Sequence, residues 1–433
     1  MLRKKIENHT ARAGVIGLGY VGLPLAVSIA RAGFRVTGID IDQNKVESIN
    51  RGISYIEDID SEELTPFVKS GRIDATTDYS VLTELDTVDI CVPTPLGKSK
   101  EPDMSYIIGA VEQIAKYIRT NQLIILESTT YPGTTEEIVM PKLEESGLKV
   151  GKELFLAFSP ERIDPGNEIY TLSNTPKIVG GITPKCTEIT KIFYQQFISK
   201  VVPVSSTRAA EMVKLLENTF RAVNIGLVNE MALMCDKMGL DVWEIVEAAA
   251  TKPFGFMPFY PGPGLGGHCL PIDPHYLSWK AKSFEFYARF IELASEINSS
   301  MPYHVLKKIT DALNSHKKCI NGAKLLIIGV AYKKNVGDTR ESPALDIIEM
   351  LVERGGEILY SDPYVSEVQT DGGNSWKSLE LTESLLKQSD CAIIMTDHSC
   401  LDYQQIVENA QLVVDARNAT ADVRFGREKI VKI

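Results

Sequence analysis

The sequence predicts an α/β protein: two doubly wound parallel-sheet domains, one at each end, joined by a helical middle. Three observations lead there. The chain opens with strand, glycine-rich turn, helix, strand and acid; its last third repeats that plan; and between them lies a long stretch with helical patterning and no good strand.

The first strand is expected at residues 13–16, running straight into Gly17-Leu18-Gly19-Tyr20-Val21-Gly22. Residues 23–32 have helical length, and Gly33 stops them. A second strand, 34–39, ends at Asp40. Strands follow at 88–92, 123–127, 154–158 and 178–179, with helices at 104–118 and 136–145 separating several of them. From 207 to 250 the pattern is helical, broken near Gly239; a loop dense in Pro and Gly fills 252–275, and helix resumes to about 315. Beyond 321 come strands at 324–329, 357–360, 391–395 and 412–414, a helix at 344–354, and an acid, Asp362, after the second of those strands. The turn Gly329-Val330-Ala331-Tyr332 lacks the later glycines of its counterpart. The expected domains are 1–204 and 319–433, both Rossmann-like, with a helical 205–318 between them.

Composition narrows the function. With 433 residues, 44% hydrophobic and 24% charged, the chain has ample apolar material for several cores. A formal charge of -11 disfavours a nucleic-acid binder, though a pocket on an acidic protein can still be locally basic. No stretch approaches the ~20 apolar residues of a membrane span, and the opening residues lack the apolar core of a signal peptide. Seven scattered cysteines are not a disulfide framework. A cytoplasmic enzyme bound to neither membrane nor nucleic acid is expected.

The glycine turn stands in its full context: strand before, helix after, and Asp40 placed 23 residues beyond Gly17. Gly17 permits the tight turn, Gly19 lets backbone approach a pyrophosphate, and Gly22 allows close helix packing. The helix N-terminus offers N–H groups to the phosphates. Asp40 can accept from both ribose hydroxyls but repels a 2′-phosphate, so NAD is expected rather than NADP. Leu18, Tyr20 and Val21 complete the turn, and Lys45 and Thr94 are expected beside the cofactor.

The segment Gly264-Leu265-Gly266-Gly267-His268-Cys269-Leu270-Pro271-Ile272-Asp273 is the least ordinary in the chain. Its glycines are expected to admit a bulky ligand near Cys269, while Cys91, Cys235, Cys319 and Cys391 read as small buried hydrophobes. His268, Cys269 and His275 lie together, but without a second ligand pair no metal is expected. Before this loop, Glu211, Lys214, Asn218 and Arg221 share one stripe of a helix. A solvated face would explain them. So would chemistry, since a lysine beside a developing oxyanion stabilises it and favours the thiolate of a nearby thiol. Two turns, from Glu127-Ser128-Thr129 to Gly133 and from Ser159-Pro160-Glu161-Arg162 to Gly166, lie beyond strand ends, where open α/β sheets bind ligands.

In this order, the glycine turn, Ser128-Thr129, Pro160-Glu161, the segment from Glu211 to Asn224, the Cys269 loop and Gly337-Asp338-Thr339-Arg340-Glu341-Ser342 resemble the UDP-glucose/GDP-mannose dehydrogenase family along nearly the whole chain. The resemblance implies oxidation of the C6 alcohol of a UDP-sugar to a carboxylate in two NAD-dependent steps, by a homodimer or higher homo-oligomer. The text around Ser159-Pro160-Glu161-Arg162 and before Cys269 is similar to the branch acting on N-acetylhexosamines in bacterial surface polysaccharide synthesis (O-antigen, capsule). UDP-N-acetylglucosamine is the expected substrate, with UDP-N-acetylmannosamine and UDP-glucose as alternatives.

By the same resemblance Cys269 is the nucleophile, carrying a thiohemiacetal and then a thioester. Lys214 and Asn218 stabilise oxyanions, Glu161 is the base for hydrolysis, Thr129 positions water, and Asp273 tunes Lys214 or the water. Arg340 reaches the cofactor. Arg162, Arg221, Tyr260, Gly264, Gly266, Lys333 and Arg417 join Glu161, Lys214 and Asn218 as expected substrate contacts. His268 has no catalytic role. Two readings of another class stand beside this one. A two-electron 3-hydroxyacid dehydrogenase would use Lys214 and Asn218 but leave Cys269 idle, and a non-catalytic sensor would bind NAD and nucleotide sugar without turnover.

Overall fold

Short runs of Val, Ile, Leu and Phe, buried on both faces, build the first sheet, as parallel strands covered by helices require. The computed structural model describes residues 1–433 except 57, 58, 98–100, 165, 166, 168, 268 and 371. His268, Pro165 and Gly166 therefore lie outside the described residues. The chain divides into two compact units, residues 1–217 with 275–286, and residues 218–274 with 287–433.

The first unit holds an eight-stranded sheet of β1 (Arg12–Ile16), β2 (Arg35–Ile39), β3 (Ile73–Thr76), β4 (Thr87–Ile90), β5 (Leu123–Leu126), β6 (Phe155–Phe158), β7 (Lys177–Gly181) and β8 (Val201–Pro203). Their order is β3-β2-β1-β4-β5-β6-β7-β8, so the strand sequence reverses between β1 and β4. That switch point is where the glycine turn leaves β1. One large apolar cluster includes Val15, Leu25, Val36 and Phe193, and another includes Ile16, Ile90, Ile114 and Leu126. Alternate residues of β1 thus feed different clusters.

The second sheet contains β9 (Lys324–Ile328), β10 (Glu357–Ser361), β13 (Cys391–Ile394), β14 (Val413–Asp415) and β15 (Ile430–Lys432); β11 (Glu367–Gln369) and β12 (Ser375–Lys377) form a separate antiparallel pair. Its order, β10-β9-β13-β14-β15, repeats the β2-β1-β4-β5 plan of the first unit. The helical middle comprises Thr207–Met238, Val242–Ala250, Asp273–Lys282 and Arg289–Ser315. Gly239, at φ +70°, ends the first of these where the break was expected. Val228, Val246, Met301 and Ile309 from these helices share one core with Leu325, Ile393 and Val414 of the second sheet.

Several expectations needed correction. Strands β3, β8, β11, β12 and β15 were not foreseen, because each is only three or four residues long and most are only partly apolar. The helix expected at 136–145 is a π turn, Thr135–Val139, followed by a short helix Met140–Glu144. Strand β7 runs antiparallel to β6. Among the described residues no helix separates them, and a parallel partner would need a crossover. Cys319 is exposed rather than buried, since it falls in the turn after Arg289–Ser315. Among the described residues no helix is long and apolar enough to cross a membrane.

Candidate active site

The glycine turn has the geometry of a phosphate cradle. Gly17 takes φ +89°, and a Cβ there would stand 2.7 Å from the Cys91 carbonyl oxygen. At Gly22, which opens the helix Gly22–Arg31, a Cβ would come within 1.8 Å of the Gly17 oxygen. Gly19 differs: a Cβ there would meet nothing within 4 Å. Two glycines serve the chain's own packing, and the middle one leaves backbone open to a ligand. Gly22→Ala is accordingly expected to cost about 1–3 kcal/mol of stability and to weaken NAD binding; wild-type melting and affinity would contradict this.

Asp40, at the end of β2, is buried. One of its oxygens accepts the Leu18 N–H at 2.8 Å, and the other accepts the Asp42 N–H at 3.0 Å. Each oxygen keeps a lone pair for a ribose hydroxyl. Lys45 Nζ stands 3.8 Å from the carboxylate, and the Tyr55 hydroxyl donates to the Leu18 carbonyl at 2.7 Å. Thr94 is buried, with its carbonyl accepting from Tyr276 at 2.8 Å, whereas Tyr20 is exposed. Glycine turn, helix N-terminus and acid together fit a dinucleotide. In the second sheet the corresponding Asp362 is already spent: Oδ2 accepts from the Val330 and Ala331 amides, and His398 Nε2 lies 3.1 Å from it. The Asn335 N–H donates to His398 Nδ1, so the ring proton sits on Nε2, facing Asp362.

The helix stripe is a solvated face only at Arg221. Glu211 is fully buried and accepts from the Gly133 and Thr135 amides at 2.6 and 2.9 Å and from the Thr135 hydroxyl at 2.7 Å. It ties the helix to the turn that follows Thr129, which is itself half-buried. Burial pushes the Glu211 carboxyl up against these hydrogen bonds. Lys214, also buried, donates to the Glu161 carbonyl at 3.3 Å. Asn218, one turn on, donates to Asp273 Oδ2 at 2.6 Å. Arg221 is exposed.

Cys269 begins a tight turn: its carbonyl accepts the Ile272 and Asp273 amides at 3.1 and 2.8 Å. The thiol is half-buried and free of disulfide, and Asp273 is buried. The glycines before it were expected to make room for a ligand, but the chain itself fills that room. A Cβ on Gly266 would lie 2.6 Å from Tyr332 Cβ, and one on Gly267 2.8 Å from the Tyr332 ring. Gly264 sits at φ +138° against Pro343. Two buried amides hold the start of this loop. Asn229 accepts the Gly262 N–H at 3.0 Å and donates to Asn298 Oδ1 at 2.9 Å, and Asn298 donates to the Ala222 carbonyl at 3.1 Å.

Other expected contacts are partly committed elsewhere. Arg162 holds Glu217 and the Pro176 carbonyl. Arg340 pairs with Asp338. Tyr260 is half exposed and stacks on Trp243, and Lys333 is half-buried. Arg417 donates to the Met395 carbonyl and packs on Gly262. Among the described residues no group of His, Cys, Asp or Glu could hold a metal ion.

The largest feature that sequence reasoning missed lies behind Glu161. Lys177, which opens β7, places Nζ 2.9 Å from Glu127 and 3.0 Å from Glu161, all three side chains being at most 7% exposed. The Tyr194 hydroxyl bridges Glu127 and Asp89. Burial and its carboxylate neighbours raise Asp89 well above the usual range and bring Glu127 to about 7. Burial works against the Glu161 charge too, but Lys177, the Arg162 amide and Lys214 outweigh it and lower that carboxyl. Glu161 is therefore an ionised, comparatively weak base. The only sequence signal was a lysine opening an apolar strand.

Comparison with known proteins identifies the family. Residues 11–198, 208–300 and 326–422 match the NAD binding, central and UDP binding domains of the UDP-glucose/GDP-mannose dehydrogenase family. The chain is 37% identical over 389 residues to the UDP-N-acetyl-D-mannosamine dehydrogenase of Methanococcus maripaludis, covering 89% of this chain and 85% of the relative. It is 36% identical over 357 residues to the UDP-N-acetyl-D-glucosamine 6-dehydrogenase of Pseudomonas aeruginosa, covering 82% and 83%. The solved UDP-D-ManNAc dehydrogenase of Pyrococcus horikoshii superposes with a TM-score of 0.87 at 33% identity over 97% of this chain and 98% of that one. The chain belongs to the UDP-glucose/GDP-mannose dehydrogenase family.

Proposed function

We propose that this protein oxidises the C6 alcohol of UDP-N-acetylglucosamine to the carboxylate with two equivalents of NAD, serving surface polysaccharide synthesis. Residues 1–204 bind NAD, 205–318 carry the cysteine loop and the dimer contact, and 319–433 bind the UDP-sugar. The observation that carries the proposal is the 269–273 turn, which holds a thiol and a buried carboxylate together, with that carboxylate bonded to Asn218. Neither a two-electron dehydrogenase nor a sensor has a use for that thiol.

Bound NAD supplies the hydride acceptor for both oxidations. The Cys269 thiolate adds to the C6 aldehyde to give a thiohemiacetal, which the second oxidation converts to a thioester. Water then adds to the thioester carbonyl, its proton passing to Glu161, and the thiolate leaves as the carboxylate forms. Lys214 and Asn218 donate to the oxyanions, Thr129 positions water, and Asp273 orients Asn218. Arg162, Arg221, Tyr260, Lys333 and Arg417 contact the nucleotide sugar, and Arg340 the cofactor. A homodimer is supported by the large apolar side chains exposed at Phe220, Leu227, Met234, Phe290 and Leu293.

UDP-N-acetylmannosamine is the second reading, favoured by the mannosamine enzymes among the relatives. The two sugars differ only in configuration at C2, a small steric difference for a pocket to sense. NADH yield per mole of sugar, run to completion with each UDP-sugar, tests the proposal. Two NADH from UDP-N-acetylglucosamine and little from the others is the expected result. Two from UDP-N-acetylmannosamine alone keeps the chemistry and changes the sugar, and one NADH per sugar removes the thioester.

A further inference from the structure

Five ionisable side chains form one unbroken chain inside the first unit. Asp89 on β4 touches the Tyr194 hydroxyl at 2.9 Å; the same hydroxyl touches Glu127 after β5; Glu127 takes Lys177 Nζ at 2.9 Å; and Lys177 takes Glu161 at 3.0 Å. Only the last member has a role in the reaction proposed above.

Hydrogen counting sets the protonation of this chain. A single Tyr194 hydrogen faces two carboxylate oxygens, so one of the two acids must itself carry a proton. Asp89 is the better holder: its other oxygen is buried without a partner, which a neutral acid tolerates and a carboxylate does not. Asp89 then donates to Tyr194, Tyr194 donates to Glu127, and Lys177 stands between two carboxylates, Glu127 and Glu161. Glu161 spends one oxygen on its own neighbours, the Arg162 and Ile163 amides at 2.6 and 2.7 Å, and the other on Lys177. Both oxygens are thereby fixed in direction.

We infer that Lys177 is a positioning residue for Glu161, holding its carboxylate ionised and oriented. This rests on the proposed role of Glu161 as the base for thioester hydrolysis. The charged and titratable groups facing Glu161 are Lys177 from β7, Glu127 and Cys91 from the ends of β5 and β4, and Lys214 from the helix Thr207–Met238. Of these, Lys177 bonds the Glu161 carboxylate through its side chain, at 3.0 Å.

Lys177 and its other partner, Glu127, make different predictions. A base must be deprotonated to act, so activity falls as the pH drops through its pKa. Lys177→Met removes the opposing charge, raises the Glu161 pKa, and is expected to move the acid limb of the kcat–pH profile up by about one pH unit or more. It should lower kcat at neutral pH more than it raises KM. Glu127 takes up its own proton near pH 7, above the limb set by Glu161, so Glu127→Gln should leave that limb in place. Lys177→Arg keeps the charge and should return the limb to its wild-type place. General damage to the buried cluster would move the limb in both variants.

The experiment is the pH profile of NADH production by the full-length enzyme and these three variants, with Glu161→Gln alongside. An upward shift for Lys177→Met, with the limb unmoved in Glu127→Gln, supports the inference; if Lys177→Met does not fold, Lys177→Gln takes its place. A Lys177→Met limb that stays in place, in an enzyme that Glu161→Gln cripples, overturns the inference and leaves the base assignment standing. Full four-electron turnover by Glu161→Gln overturns that assignment, and the inference with it.

Discussion

Cys269→Ala is expected to lower four-electron turnover by about three orders of magnitude or more, the scale of loss when a covalent enzyme loses its nucleophile. The substitution should leave the local fold alone. The hydrogen bonds that shape the turn run from the Ile272 and Asp273 amides to the Cys269 carbonyl, so they survive loss of the sulfur. Any residual reaction should stop after the first oxidation, because without the thiol no thiohemiacetal forms to be oxidised again. Product mass and NADH per sugar measure this directly. An alanine variant that still yields two NADH per sugar at the wild-type rate would remove Cys269 from the mechanism.

Lys214→Met is expected to cost about 10²–10³ in kcat, the usual toll for removing one donor from a developing oxyanion. Methionine keeps much of the volume of the buried side chain while deleting its charge. NAD affinity should stay within about twofold of wild type, a change of under 0.5 kcal/mol, since the glycine turn and Asp40 belong to other elements. Equilibrium NAD binding and single-turnover rates separate the two effects. Equal loss in both would mean that Lys214 supports the fold rather than the chemistry.

How far the sequence could be read depended on how local each feature is. The glycine turn, its helix and Asp40 lie within one short βαβ unit, and each residue's type states its own backbone or charge requirement. Lys214 and Asn218 were legible for the same reason, as neighbours on one helix. Lys177 was not, because its partners lie 16 and 50 residues away and only the sheet brings them together. The glycines at 264, 266 and 267 signalled a close approach and were read as room for a ligand; the fold places Tyr332 and Pro343 against them. Glu211 looked like a member of a ligand-facing row, yet it caps a turn, since neighbours on a helix can serve different tasks when different elements pack there. The direction of β7 depended on the long 159–176 connection, which carries no crossover helix among its described residues, rather than on any one residue.

The paired amides of Asn229 and Asn298 give the helices that carry them a property that apolar contacts lack. Val228, Met301 and Val305 around them would pack almost as well after a small slide or rotation. An amide has a donor end and an acceptor end, so the pair closes in one alignment, and displacement strands several polar atoms in an oily layer. The asparagines act as a key in a lock with a single tooth, and the tooth also holds the Gly262 amide at the root of the cysteine loop. Repacking the surrounding aliphatic residues should therefore change how firmly the helices hold together without changing where the thiol is delivered. An apolar pair at 229 and 298 should do the reverse, leaving a sturdy protein whose nucleophile has lost its address.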